Sequence, residues 1–161
     1  MRIAFLIAVL ALVPEASAQR SVREYTAAQR ASLQEYLSAH PDDGFIPETW
    51  FDEETLRYAR DEWGFGRAFK PYYQRADFSE DGRMDFAVVL LNGRTNTLRI
   101  VVFDQVAGDT YRVAHIEDLG EFHDAAFISR TGRRLVYGVM ETDECGTFVP
   151  AGRGYLVEAC P

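Results

Sequence analysis

The chain has 161 residues, of which 25 are Asp or Glu and 17 are Lys or Arg, and its formal net charge is −8 at pH 7. This length suits a single domain with one sizeable core. The acidic balance argues against nucleic acid or an anionic membrane surface as a partner, because both attract Lys and Arg. It suits cation binding, although a solvated acidic surface accounts for much of it.

The N-terminus has the pattern of an export signal. Arg2 supplies a positive charge, residues 3–13 are almost all apolar, and Ala16–Ala18 matches the small-x-small pattern of a signal peptidase site. The apolar run is shorter than the about 20 residues that a membrane-spanning helix needs, and no later run is longer. We therefore predict a signal peptide at residues 1–18, a single domain at residues 19–161, and a soluble periplasmic or secreted protein. An uncleaved anchor or a buried N-terminal helix is the alternative.

Two helices are predicted at the start of the domain. The first spans Ser21–His40, begins with a capping box that Ser21 opens, and ends before Pro41. The second spans about Asp52–Trp63 and stops at Gly64. Apolar residues recur at helical spacing in both segments, so each helix is predicted to pack with one face.

The rest of the domain is predicted to be an antiparallel sheet. From Tyr72 onward the hydrophobic period changes towards two, and turn signals separate short apolar runs. Because the connections are too short for crossover helices, neighbouring strands should be antiparallel. The predicted strands are Met84–Leu91, Leu98–Val106, Tyr111–Glu117, Phe122–Ser129, Leu135–Met140 and Tyr155–Cys160. The sequence therefore predicts an α+β fold with two N-terminal helices packed on an antiparallel sheet of about six or seven strands.

The stretch Ala76–Leu91 has the pattern of a cation-binding loop that leads into a central strand. Ca²⁺ takes six to eight oxygen ligands, and a tight loop can supply them from alternating positions around a glycine. The last part of the stretch is apolar on both faces, which predicts a strand covered on both sides. The predicted ligands of Ca²⁺ are the side chains of Asp77, Ser79, Asp81 and Asp85 and the carbonyl of Arg83, with Gly82 at the turn.

This loop resembles the calcium loops of FG-GAP and VCBS-type repeats, in which D-x-(D/N/S)-x-D-G-x-x-D precedes a hydrophobic strand. The resemblance implies a strand–loop–strand unit that binds Ca²⁺. It covers about 15 of the 161 residues and occurs once, so it does not imply a propeller. Val88 replaces the Glu that an EF-hand needs. The alternative is a plain hairpin turn, since Asp81-Gly82 is a turn dipeptide in its own right.

The two cysteines, Cys145 and Cys160, are predicted to form one disulfide in an oxidising compartment. The loop that they close has about 15 residues, which is worth roughly 3 kcal/mol on the chain-entropy model. A reactive thiol is the alternative.

Aromatic residues are dense between Trp50 and Phe78. Such residues form either a buried core or a platform for sugar rings or a partner's peptide. Core is the expectation for most of them.

No catalytic motif is present, and two classes of function follow. The first is a small exported binding module, stabilised by Ca²⁺, with an unidentified protein or glycan as its partner and no enzymatic activity. The second is a periplasmic or secreted hydrolase whose site is assembled from dispersed residues. The candidates for that site are His115, His123, Glu141, Asp143 and Glu144.

Overall fold

The structure of the protein is a computed structural model, which describes residues 25–47, 50–120, 126–140 and 142–160. In these residues it contains two helices, α1 (Ala27–Ala39) and α2 (Glu53–Asp61). It also contains the strands β1 (Asp43–Phe45), β2 (Tyr73–Ala76), β3 (Asp85–Asn92), β4 (Thr97–Ala107), β5 (Thr110–Asp118), β6 (Ala126–Thr131), β7 (Arg134–Val139), β8 (Cys145–Ala151) and β9 (Gly154–Ala159). The predicted signal peptide at residues 1–18 lies outside the described residues.

The first helix begins later than predicted. Thr26 is extended, with φ −64° and ψ 165°, so it precedes the helix rather than belonging to it. Its hydroxyl accepts a hydrogen bond from the backbone N–H of Gln29 at 3.2 Å, and the Gln29 side chain accepts one from the N–H of Thr26 at 3.0 Å. This capping box satisfies free N–H groups at the helix start and fixes Ala27 as the first helical residue. The box predicted at Ser21 lies outside the described residues.

The second helix is close to the prediction. The carboxylate of Asp52 accepts a hydrogen bond from the backbone N–H of Thr55 at 2.7 Å, which satisfies one of the free donors of the first turn. Gly64 follows the helix with a left-handed φ of 72°, a conformation that glycine adopts without strain.

In the described residues nine strands form two antiparallel sheets, whereas the sequence predicted a single sheet of about six or seven strands. Sheet A contains β1–β5, and sheet B contains β6–β9 in chain order. Within sheet A, β3 pairs with β4 along one edge, while β2 and β1 share its other edge. The change of sheet falls between β5, which ends at Asp118, and β6, which begins at Ala126; the start of the strand predicted at Phe122–Ser129 lies outside the described residues. The prediction was wrong because turn signals mark strand ends and not pairing partners.

Three layers result, and they explain why β3 is buried. One face of β3 and β4 packs on α1 through Phe86, Val88 and Phe103. The opposite face packs on sheet B, where Ile128 and Phe148 are buried. Successive strand residues point to opposite faces, so a strand covered on both sides must be apolar throughout. This confirms the prediction of a central strand covered on both sides.

The helices do not pack together on one sheet as predicted. The strand β1 separates them in the chain, and of these two helices it is α1 that packs on sheet A. The helix α2 instead buries Ala59 in a separate cluster with Phe51, Phe69 and Phe127 of β6. The coarse α+β description therefore holds, while the predicted arrangement of the helices is corrected.

A buried polar network fastens one end of sheet A. The carboxylate of Asp43 accepts hydrogen bonds from the Tyr36 hydroxyl at 2.7 Å and from the Asn92 amide at 2.8 Å. The Arg99 guanidinium donates to both Asp43 oxygens, at 3.0 and 3.2 Å, and to Asp118 at 2.6 Å. Every carboxylate oxygen of this buried group is therefore satisfied. The network joins α1 to β1, β3, β4 and β5.

Candidate functional site

The predicted cation loop is the connection between β2 and β3. Ala76 of β2 pairs with Asp85 of β3, so residues 77–84 form the tip of an antiparallel hairpin. Gly82 has a left-handed φ of 86°, as the turn requires, and Glu80 is also left-handed with φ 61°. The structure thus contains the strand–loop–strand unit that the sequence pattern predicts.

Asp85 fastens the loop from its base. It is fully buried, and its two carboxylate oxygens accept hydrogen bonds from the backbone N–H groups of Ser79 and Gln105, each at 2.9 Å. Burial raises the pKa of Asp85, although these two hydrogen bonds oppose the change. The carboxylate therefore ties the loop to β4 by structural hydrogen bonds.

Asp77 and Ser79 have oxygens without a hydrogen-bond partner. One carboxylate oxygen of Asp77, Oδ2, accepts a hydrogen bond from the N–H of Gly82 at 3.2 Å and contacts the guanidinium of Arg133. The other, Oδ1, is buried and has no partner, and the same is true of the Ser79 hydroxyl. Buried polar atoms normally have a hydrogen-bond partner, so two buried oxygens without one make this loop a candidate binding site.

Asp81 and Arg83 face solvent. The Asp81 carboxylate accepts hydrogen bonds from the backbone N–H of Arg83 at 2.9 Å and from its guanidinium at 3.0 Å. Both side chains are exposed, so the ion pair between them stabilises little. The carbonyl of Arg83, the other predicted ligand, belongs to the same turn.

The five predicted ligands share one hairpin but do not form a closed cage. In the part of the chain that the structure describes, no three His, Cys, Asp or Glu side chains converge as metal ligands. Both carboxylate oxygens of Asp85 accept hydrogen bonds from backbone N–H groups, and the Asp81 carboxylate is paired with the Arg83 guanidinium. The atoms that fit a cation are the unpartnered oxygens of Asp77 and Ser79.

The predicted disulfide is confirmed. Cys145 begins β8 and Cys160 follows β9, and their Cα atoms lie 5.6 Å apart in a bridge. It closes the open end of the β8–β9 hairpin, opposite the turn at residues 152–153. A free reactive thiol, the alternative, is excluded for both cysteines.

The aromatic stretch contributes both to the core and to two open surfaces. Phe51, Phe69 and Phe78 are buried, as expected for core residues. A cavity of about 450 Å³, the aromatic cavity, opens beside Phe51 and Phe69. Its lining includes Tyr25, Phe45, Phe51, Leu56, Tyr72 and Tyr73. Tyr25 and Phe45 were not predicted, since their proximity to the stretch arises only from the packing of α1 and β1.

A second depression, of about 460 Å³, lies on the other side of α2. The exposed side chain of Tyr58 borders it, together with Trp63 and Phe127. Asp143, a member of the acidic group predicted from sequence, also lies on its border. The aromatic stretch is therefore divided between core and surface.

The dispersed residues of the hydrolase hypothesis are only partly described. The imidazole of His115 is 3.0 Å from the Glu117 carboxylate and packs edge-on against Phe148. Asp143 and Glu144 are exposed between β7 and β8, and among the described residues they do not converge with His115 into a group of three such side chains. His123 and Glu141 lie outside the described residues.

Comparisons of the chain with protein-family models, with curated proteins and with solved structures each find no match. The resemblance to FG-GAP and VCBS-type loops therefore stays a prediction. Among the described residues, no helix is both long and apolar enough to cross a membrane.

Proposed function

We propose that this protein is a small exported binding module that is stabilised by Ca²⁺ in its β2–β3 loop. Its partner is a protein or a glycan, engaged through the aromatic surfaces beside α2. The compartment, periplasmic or extracellular, is part of the proposal, and the disulfide supports it because such bonds persist in oxidising compartments.

The pair of unpartnered oxygens in the loop carries the calcium proposal. Asp77 Oδ1 and Ser79 Oγ are both buried acceptors at positions where the loop pattern places ligands. A buried polar group left unsatisfied costs about 1–3 kcal/mol. A hard cation that prefers oxygen ligands satisfies both at once.

The remaining predicted ligands are close in the chain. Asp81 and the Arg83 carbonyl would add ligands from the same turn, whereas Asp85, predicted from sequence as a ligand, would hold the loop from its base through its hydrogen bonds to the backbone N–H groups of Ser79 and Gln105. Because the loop joins β2 to the central strand β3, binding energy gained there adds to the stability of sheet A. The ion is therefore proposed as a structural element and not as a catalyst.

The aromatic cavity supports the binding part of the proposal. Its volume of about 450 Å³ lies within the range that is typical of small-molecule sites, and its walls are mainly aromatic and aliphatic. Arg60, Lys70, Asp52 and Glu53 add a few charged groups to the lining. Apolar walls with a few polar groups suit a sugar ring or an aromatic side chain of a partner.

Thermal unfolding of the purified protein tests the calcium proposal. At 100 times the dissociation constant, a bound ion adds about 2.7 kcal/mol, which raises Tm by roughly 5–10 °C for a chain of this size. We expect this rise with Ca²⁺, less with Mg²⁺ and none with chelator. Asp77→Asn and Asp81→Ala should abolish it. The control Asp109→Asn removes a carboxylate from the β4–β5 turn and should retain it.

Identical melting temperatures with Ca²⁺ and with chelator would show that the loop is only a hairpin turn.

The partner requires a separate assay, in which the protein is titrated with chito- and cello-oligosaccharides and its intrinsic fluorescence is measured. Leu56→Trp fills the aromatic cavity and should block binding, whereas the matched Leu156→Trp lies on β9 and should not. Equal binding by the two variants would remove the cavity from the proposal.

A hydrolase is the second candidate, and the pairing of His115 with Glu117 favours it. A carboxylate 3.0 Å from an imidazole nitrogen orients the ring, as a general base requires. Hydrolysis of ester or glycoside substrates that His115→Ala abolishes and Glu117→Gln weakens would favour this candidate over the binding module.

A further inference from the structure

Arg133 brings a cation of the chain itself to the proposed calcium loop. It lies in the turn between β6 and β7 of sheet B, far from the loop in sequence. Its guanidinium contacts Oδ2 of Asp77, the residue at the first ligand position. The Asp77 side chain is only 14% exposed, while that of Arg133 is 58% exposed. The buried partner is thus the carboxylate, and the exposed partner is the arginine.

The guanidinium satisfies only part of the site. It leaves Asp77 Oδ1 and the Ser79 hydroxyl without partners. A guanidinium is planar and donates hydrogen bonds in a fixed fork, and the Arg133 contact reaches Oδ2 of Asp77. A Ca²⁺ ion is smaller and takes six to eight oxygens. An ion at Oδ1 would share the Asp77 carboxylate with Arg133, and the two positive charges would repel each other there.

We propose that Arg133 is a built-in competitor that lowers the affinity of the β2–β3 loop for Ca²⁺. This inference rests on the proposed function, because it assumes that the loop binds the ion. Binding displaces the Arg133 guanidinium into solvent, which its exposure permits. The loop thereby loses its contact with Arg133 of sheet B when it gains the bound ion.

The displaced contact lies at one end of a seam between the two sheets. The backbone N–H of Ile128 donates to the carbonyl of Pro71 at 2.7 Å, and the Gln74 side chain donates to the carbonyl of Ile128 at 3.2 Å. Nearer to the loop, the Arg130 guanidinium reaches the carbonyl of Arg75 at 3.4 Å. These contacts do not involve the loop. Calcium should therefore loosen only the tip of the β6–β7 hairpin.

Calorimetric titration with Ca²⁺ tests the proposal on the wild-type protein, Arg133→Gln and Arg134→Gln. Arg134 begins β7 and is exposed, and Arg134→Gln removes the same single positive charge as Arg133→Gln without touching the contact to Asp77. We expect Arg133→Gln to bind Ca²⁺ about tenfold more tightly than wild type, equivalent to about 1.4 kcal/mol. Arg134→Gln should differ from wild type by less than about threefold, because exposed charges are screened.

The outcomes separate the two proposals. Binding by all three proteins with equal affinity supports the calcium site and overturns the competition. Equal tightening in both variants also overturns it, since net charge then explains the effect. Absence of binding in all three overturns the calcium site and the competition with it. Tightening confined to Arg133→Gln supports both, and Ca²⁺ should then speed amide exchange at the hairpin tip in wild type.

Discussion

The ion pair between Asp43 and Arg99 allows a test of how burial affects the contribution of an ion pair to the free energy of unfolding. The Asp43 side chain is 0% exposed and that of Arg99 is 19% exposed, with the two charged groups 3.0 Å apart. One residue away, Asp42 pairs with Arg94 at the same distance, but their side chains are 48% and 74% exposed. The chain therefore contains a matched buried and exposed pair at one end of sheet A.

Replacing Arg99 by Met leaves the Asp43 carboxylate buried without its counter-ion. Breaking a buried pair in this way costs about 3–5 kcal/mol. Tyr36 and Asn92 still donate hydrogen bonds to Asp43, so we expect the lower end of that range, about 3 kcal/mol. Arg94→Met should cost less than about 1 kcal/mol, because water already screens that pair.

Urea unfolding of the two single variants measures these costs as changes in the free energy of unfolding at unchanged slope. With the single variant Asp43→Asn, the double variant Asp43→Asn/Arg99→Met completes a cycle; it removes both charges and should recover part of the loss, with a coupling of about 1–3 kcal/mol. If Arg99→Met costs no more than Arg94→Met, burial does not govern the strength of these pairs. Simple additivity in the double variant would contradict the reasoning as well.

Two further predictions concern pH and packing. Burial, aided by the hydrogen bond to Asp43, raises the pKa of Tyr36 from 10.0 to about 12. The neutral Tyr36 side chain therefore contributes fully to the free energy of unfolding below pH 10. This contribution, at most about 3 kcal/mol, is lost as the pH rises from 10 to 12. Unfolding measured at pH 9 and pH 11 should show this loss in wild type and a smaller one in Tyr36→Phe; equal losses would refute it. Gly146→Ala places a methyl group against the Tyr137 ring and should cost about 1–3 kcal/mol, whereas Gly44→Ala meets open space and should be neutral or stabilising in the same unfolding assay. Equal stabilities of the two alanine variants would contradict the packing argument.

Much of the local structure follows from the sequence because its causes are local. Asp81-Gly82 predicts the turn between β2 and β3, where Gly82 is left-handed. The apolar run after Asp85 predicts a strand buried on both faces, and this is confirmed. The pairing of Cys145 with Cys160 needs no more than two cysteines and an oxidising compartment. The signal peptide and the calcium ion stay predictions.

Other features depend on contacts between segments that are distant in the chain. The division into two sheets depends on where a ladder stops, and hydrophobic period alone does not encode strand partners. The lining of the aromatic cavity includes Tyr25, which precedes α1, and Phe45 of β1, both distant in sequence from the aromatic stretch. Nothing in the local pattern around Arg133 indicates a role in the loop.

The candidate site shows the same limit. Alternating oxygen side chains around a glycine determine that the loop has the composition of a cation site and the shape of a hairpin, since both depend on a few adjacent residues. Only the tertiary structure decided which oxygens are available. It assigned Asp85 to backbone N–H groups, brought Arg133 from sheet B to Asp77, and left the remaining oxygen of Asp77 without a partner. The physical reason is that hydrogen-bond partners and counter-ions are chosen by proximity in space, which packing of the two sheets determines.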